Sequence, residues 1–347
     1  MRYSGKSLLI LPAFFLYLFG TAQPYENAGQ YMDHISKANQ ALSEKYLVYL
    51  SGMSHGKSAR KVEKRRLELL QAISDTRSDI MGMPPYKGDR TLKDTTVAYL
   101  KILNNIFNED YGKIVNMEEI AEQSYDMMEA YMLAQEKANE KLKEAMTKQY
   151  DTQVRFAEKN NIKLIAGESE IGNKMKTSDG VMKHYNETYL VFFKGYKQES
   201  YVMEAVNKKN IISIEQNVNT LKKFADEGLE KLKDMKGYNN DPSLIVACRN
   251  LMLFYKAEAE KASAITDFFL KEENFSKLKK QFETKPASKR TQQDIDQFNK
   301  GVNDINAAVN SYNATNNEMN KQRNNAINDW DKAVKKYMDN YIPFQAR

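Results

Sequence analysis

The chain has 347 residues, 41% of them hydrophobic and 28% charged. Its 52 basic and 46 acidic side chains leave a formal net charge of +6, with both signs interspersed throughout. That balance describes a solvated, ion-paired surface and excludes the concentrated basic footprint of a nucleic-acid binder. A single cysteine, Cys248, excludes an intrachain disulfide.

The opening MRYSGKSLLILPAFFLYLFGTAQ places Arg2 and Lys6 before an apolar run from Leu8 to Phe19, then Gly20-Thr21-Ala22. This order predicts a secretory signal over residues 1–22 with cleavage after Ala22, leaving a mature charge of about +4. The run is shorter than the about 20 apolar residues that cross a bilayer as a helix. The expected destination is the periplasm, the outer-membrane surface or the medium. No cysteine stands at the cleavage point to carry a lipid, and Cys248, inside LIVAC, reads as a small buried hydrophobe.

Beyond the signal, prolines stand at 24, 84, 85, 242, 286 and 343, and between them apolar residues recur at steps of three and four. These breaks and this period predict helices over roughly 26–50, 55–82, 91–160, 181–206, 210–236, 242–284 and 290–340. The long third helix carries the stripe Leu100, Leu103, Phe107, Tyr111, Ile114, Ala121, Tyr125, Met128 and Met132. IKLIAG, residues 162–167, is the one run that also fits a strand. The expected organisation is a first helical half over 23–164, a linker over 165–180 and a second half over 181–347.

GMSHGKS, residues 52–58, approaches a phosphate-binding loop but has three residues between its glycines where four are needed, and no strand feeds it. On a helix, Gly52, Gly56 and Ala59 instead make a small-residue stripe that admits a close neighbour. Lys57, Arg60, Lys61 and Lys64 fall on the opposite face, solvated or facing an anionic partner such as lipid headgroups or a cell-wall polymer. His55 and Arg66 share the apolar side and need polar partners. Antiparallel packing about the turn near Pro85 sets His55 opposite Glu118, so these two are expected to form a structural polar pair rather than a metal site.

Two turns suggest internal repetition. Tyr86-Lys-Gly-Asp89-Arg-Thr91-Leu92 matches Tyr238-Asn-Asn-Asp241-Pro-Ser243-Leu244, and Tyr46-Leu-Val-Tyr49 matches Tyr189-Leu-Val-Phe192. In the last helix Asn299, Asn303, Asn306, Asn310, Asn313, Asn317, Asn320 and Asn324 alternate steps of four and three. They flank an apolar seam of Phe298, Val302, Ile305, Val309 and Tyr312, followed by Asn316, Met319 and Arg323, and the seam resumes with Trp330, Val334 and Tyr337. The 3.5-residue period predicts coiled-coil packing, with the amides expected to bond neighbouring helices and set register. An exposed ladder recognising a glycan or another chain is the alternative. Met127, Met128 and Met132 follow helical spacing and read as core filling, not a copper site.

The segments HGKSARKVEKRR, MPPYKGD, NEDYGKIVNMEEIAEQSYD and ITDFFLKEENFSKLKKQFETKPASKRTQQDIDQFNK resemble a bacterial surface-protein family of spirochaetes and Bacteroidetes. The resemblance covers most of the mature chain and implies export. The family is described by location, so it brings no catalytic or binding residues.

The expected protein is all-α, an elongated bundle of long antiparallel helices, its two halves either duplicated helical hairpins or hairpins converged on similar turn chemistry. Its expected role is non-enzymatic, structural or interactive, at the cell envelope, with another envelope protein or an envelope polymer as partner. The alternative is a soluble extracytoplasmic protein holding a small ligand or metal between helices. No catalytic, cofactor-binding or metal residues are assigned, and no nucleic acid or transmembrane segment is expected in the mature chain.

Overall fold

Local capping chemistry cuts the chain into its helices. In the computed structural model, which describes residues 25–55, 59–164 and 170–342, Asn27, Ser124 and Asn210 each accept a backbone N–H three residues on. Thr291 and Asp294 cap each other's backbone reciprocally. Each such side chain satisfies a donor that the first helical turn leaves open. The resulting order is α1 (Ala28–Ser54), α2 (Ala59–Gly82), α3 (Thr91–Asn105), a π turn (Ile106–Asp110), α4 (Tyr111–Ala121), α5 (Tyr125–Lys159), α6 (Glu170–Asn207), α7 (Ile211–Asp234), α8 (Ser243–Lys261), α9 (Ser263–Thr284), a 3₁₀ turn (Ala287–Lys289) and α10 (Gln292–Tyr341).

The fold is all-α, with no strand among the described residues. Residues 162–164 of the ambiguous run are irregular, and 165–167 lie outside the described residues. Three boundaries differ from expectation. The helix expected over 91–160 is interrupted by the π turn and by Ser124, whose side chain begins a new helix although the apolar stripe runs straight through. The helix expected over 242–284 breaks at Ala262. α6 begins at Glu170, so residues 170–180 of the expected linker are helical.

The two Y-x-x-D turns have the same geometry. Tyr86 pairs with Asp89 and Tyr238 with Asp241 as isolated antiparallel bridges. The central residues are left-handed in both, φ 48° and 82° at Lys87 and Gly88, 49° and 64° at Asn239 and Asn240. Two consecutive positive φ values make the tight turn that glycine and asparagine accept at least cost. Each aspartate then accepts the N–H of the residue two ahead, Thr91 or Ser243, at 2.9 Å. The leucine that follows, Leu92 or Leu244, is buried. The far carboxylate oxygen is met by the end of each half's last helix, Lys159 in one and the Tyr341 hydroxyl in the other.

The packing order repeats as well. α1, α2 and α3 pack in succession with α5 along α3 and α4; α6, α7 and α8 pack in succession with α10 along α8 and α9. The matching stretches of α1 and α6 each end in a glycine three residues on, Gly52 and Gly195. A Cβ at Gly195 would lie 2.8 Å from the Tyr255 ring, so the missing side chain admits α8. At Gly52 the close neighbour is the side chain of Arg65, whose Nη1 donates to the Val48 carbonyl at 2.6 Å. A side chain, not a second backbone, uses that space; residues 56–58 lie outside the described residues.

α6 joins the halves by packing on both α1 and α5. Met128 and Met132 of α5 are buried in the core formed mainly by α6, α7 and α8. By contrast, no residue from Leu270 to Ala307 is buried. There α9 and α10 form a two-helix arm held along the 3.5-residue seam, with Phe282 stacked on Phe298 at 4.3 Å and Leu278 against Gly301. The asparagine ladder faces water: all of its members are exposed except Asn320, which is half-buried and accepts from Arg323. Buried amides setting register therefore do not explain the ladder.

Candidate functional site

The spacing of the aromatics on α6 builds the most developed concavity. Tyr185, Tyr189, Phe192, Phe193 and Tyr196 fall at steps of four, three, one and three, which brings them to one side of the helix. Their rings form a continuous series: Tyr185 to Tyr189 at 5.5 Å, Tyr189 to Phe192 at 5.4 Å, and Phe192 to Tyr196 at 5.4 Å. From α10, Trp330 stacks on Phe192 at 4.7 Å with the planes 19° apart. Each such pair adds to the area its rings bury. Phe192, Phe193 and Trp330 are buried and form the floor, Tyr185 and Tyr189 are half-buried, and Tyr196 is 41% exposed.

The result is a cleft of about 1060 Å³ between α6 and α10. Met53, Ser54 and His55 at the end of α1 line it, as does Glu122 in the corner between α4 and α5, so both halves contribute. Met182, Ile327, Val334 and Met338 complete the apolar wall. Ser54 Oγ donates to the Leu50 carbonyl at 2.9 Å and lies 3.4 Å from Met182 Sδ.

The expected partner of His55 was Glu118, whose side chain lies outside the described residues. His55 follows the last residue of α1 and turns toward the second half: Nδ1 lies 2.8 Å from the Ser51 carbonyl and Nε2 3.3 Å from Asp339 of α10. Lys335 also pairs with Asp339, and together Lys335 and His55 hold that carboxyl below its ordinary value. Glu122 and Asp331 are exposed on the cleft wall and have no ion-pair partner among the described residues. Burial, then the charge of Glu122, the Tyr196 hydroxyl and the charge of Asp331, push the Tyr189 hydroxyl up to about 12.

Arg66, the other polar residue on the apolar face of α2, grips Glu63 with two nitrogens at 2.8 and 2.7 Å. Its Nη1 donates at 2.6 Å to the Phe107 carbonyl inside the π turn. Its role is to hold α2 against that irregular turn.

A second polar cluster was not assigned from the sequence. Arg323 of α10 donates from Nε to Glu199 of α6 and from Nη2 to Glu258 of α8, and its Nη1 donates to Asn320. Glu199 is 4% and Glu258 7% exposed. Burial, reinforced by the neighbouring Glu199 charge, pushes the Glu258 carboxyl up to about 8. One guanidinium thus serves two carboxyls, one of which keeps its proton at neutral pH. Arg323 lies four residues from Ile327 and Glu199 three from Tyr196, yet neither lines the cleft. The signal was an arginine inside an apolar seam.

Among the described residues no three histidine, cysteine, aspartate or glutamate side chains are grouped to hold a metal, and no helix is long and apolar enough to cross a membrane. Cys248 is buried, with its thiol pushed up by desolvation. No protein-family model, curated protein or solved structure matches the chain.

Proposed function

We propose that this is an exported, non-enzymatic helical protein of the bacterial envelope that works by binding, with the cleft between α6 and α10 as its binding site. The observation that carries the reading is the open aromatic wall, flanked by a few polar side chains. A concavity of this size with a mostly apolar lining and a few convergent polar side chains is the usual form of a small-molecule site. The buried Arg323–Glu199–Glu258 cluster does not line it, which favours holding over chemistry. Export rests on the signal-like N-terminus and the family resemblance.

The asparagine ladder favours a second role on the same molecule. Its exposed amides on the α9–α10 arm suit contact with another envelope protein or polymer.

A panel of sugars, amines, fatty acids and short peptides, followed by thermal shift and by Trp330 fluorescence, tests the binding site. At least one class should raise the melting temperature, and Tyr189→Ala with Tyr196→Ala should abolish that rise. Stabilisation unchanged by those substitutions would overturn the assignment.

A further inference from the structure

We propose that the ligand of this cleft is an organic cation, an alkylated ammonium with an apolar body, seated on the tyrosines of α6 between Glu122 and Asp331. This rests on the binding reading above and specifies its chemistry.

The charge inventory of the wall points to a cation. Of the cleft's own cationic groups, Lys335 is engaged by Asp339 at the end near α1. Lys197 lies over the Tyr201 ring, 5.5 Å from its centroid, and Tyr201 is not part of the cleft. His55 also turns to Asp339. Glu122, from the α4–α5 corner, and Asp331, from α10, therefore approach the cleft from different elements with no neutralising partner among the described residues. Both act on the same tyrosine, since each raises the Tyr189 hydroxyl, and Asp331 raises Tyr185 as well.

The ring faces add to the same field. An aromatic face is electron-rich and attracts a cation within about 6 Å of its centroid, best when water is displaced. Tyr185, Tyr189 and Tyr196 present partly exposed rings beside those carboxylates. An anion would meet repulsion from both. A metal ion would find no grouped ligands, because among the described residues no three histidine, cysteine, aspartate or glutamate side chains come together, and Asp339 is already engaged by Lys335 and His55. The cleft's about 1060 Å³ far exceeds an ammonium head, and Met53, Met182, Ile327 and Val334 offer apolar surface to the remainder.

Trp330 is the only tryptophan and is stacked in the floor, so its emission reports occupancy directly. The full chain is titrated with choline, with hexyltrimethylammonium, and with 3,3-dimethylbutan-1-ol, the uncharged isostere of choline. Choline should bind about tenfold more tightly than its isostere, and hexyltrimethylammonium more tightly than choline. Asp331→Asn and Glu122→Gln, both at exposed positions and checked for an unchanged melting temperature, should each weaken the cations severalfold and leave the isostere unaffected. Equal affinity for choline and its isostere, or cation binding indifferent to both substitutions, would overturn the cation assignment while the cleft stands as a binding site. Cation binding that also survives Tyr189→Leu with Tyr196→Leu lies elsewhere and would overturn both.

Discussion

Replacing Arg323 by methionine removes the guanidinium between Glu199 and Glu258 while keeping most of the side chain's volume. In the intact protein burial pushes the Glu258 carboxyl up, and Arg323 is the cation that bonds both buried carboxyls, Glu199 and Glu258. Without the arginine the two buried carboxyls lose their cationic partner, a change that costs about 3–5 kcal/mol. For 347 residues, at about 2 cal/mol/K of unfolding entropy per residue, that corresponds to a fall in melting temperature of about 4–7 °C. The pH dependence carries a second signature. Glu258's folded value lies above its ordinary 4.5, at about 8. The stability it contributes is therefore fully present below about pH 4.5 and is lost as pH rises through about 8. Removing the arginine raises that carboxyl further, so the variant should keep losing stability above pH 8. Thermal and guanidinium melts followed by far-ultraviolet circular dichroism at pH 6, 8 and 9.5 measure both effects. The triple variant Glu199→Gln, Glu258→Gln, Arg323→Met should recover most of the loss and flatten the pH profile. A single variant within 1 °C of the parent at every pH would refute the reasoning (about 0.7 kcal/mol on the same scale).

Further outcomes follow from local geometry. Gly195→Ala drives a methyl to 2.8 Å from the Tyr255 ring and 3.0 Å from Met252 Cε, and should cost about 1–3 kcal/mol in denaturant melts. Asp89→Ala and Asp241→Ala each remove the side-chain acceptor for the N–H of Thr91 or Ser243 at the start of the next helix and should cost about 1 kcal/mol apiece. Lys159 and the Thr91 N–H hold the Asp89 carboxyl down at about 2. Its contribution is present above pH 3.8 and fades as pH falls through about 2, which an acid titration of parent and Asp89→Ala would reveal. Cys248 should resist a thiol reagent in the folded protein and react at once in denaturant, since burial pushes its thiol up.

Much of this architecture could be read from residue order because helix periodicity and turn chemistry are local. The Tyr-x-x-Asp turns are the clearest case, since left-handed residues and an aspartate accepting two positions on leave a direct imprint. Caps at apolar stripes were harder to see. Ser124 starts a helix in the middle of a continuous stripe, and the π turn at Ile106 has no composition cue. The cleft was hidden for a different reason. The spacing of Tyr185 to Tyr196 puts them on one side of a helix without saying that α10 covers only part of them, and α1 reaches α10 through His55 only in three dimensions. The asparagine ladder shows the limit of periodicity, which gave the seam correctly and could not say which flank faced water.

The central claim is that the cleft beside Tyr196 is where this protein meets its ligand. Its most direct test replaces Tyr196 by a photoreactive phenylalanine in producing cells, with Tyr150 on α5, 62% exposed, as the control position. After irradiation, intact-mass spectrometry should show an adduct of discrete mass at position 196 and none at 150. Equal labelling at the two positions, or adducts only from a probe placed at Asn310 in the ladder, would contradict the account.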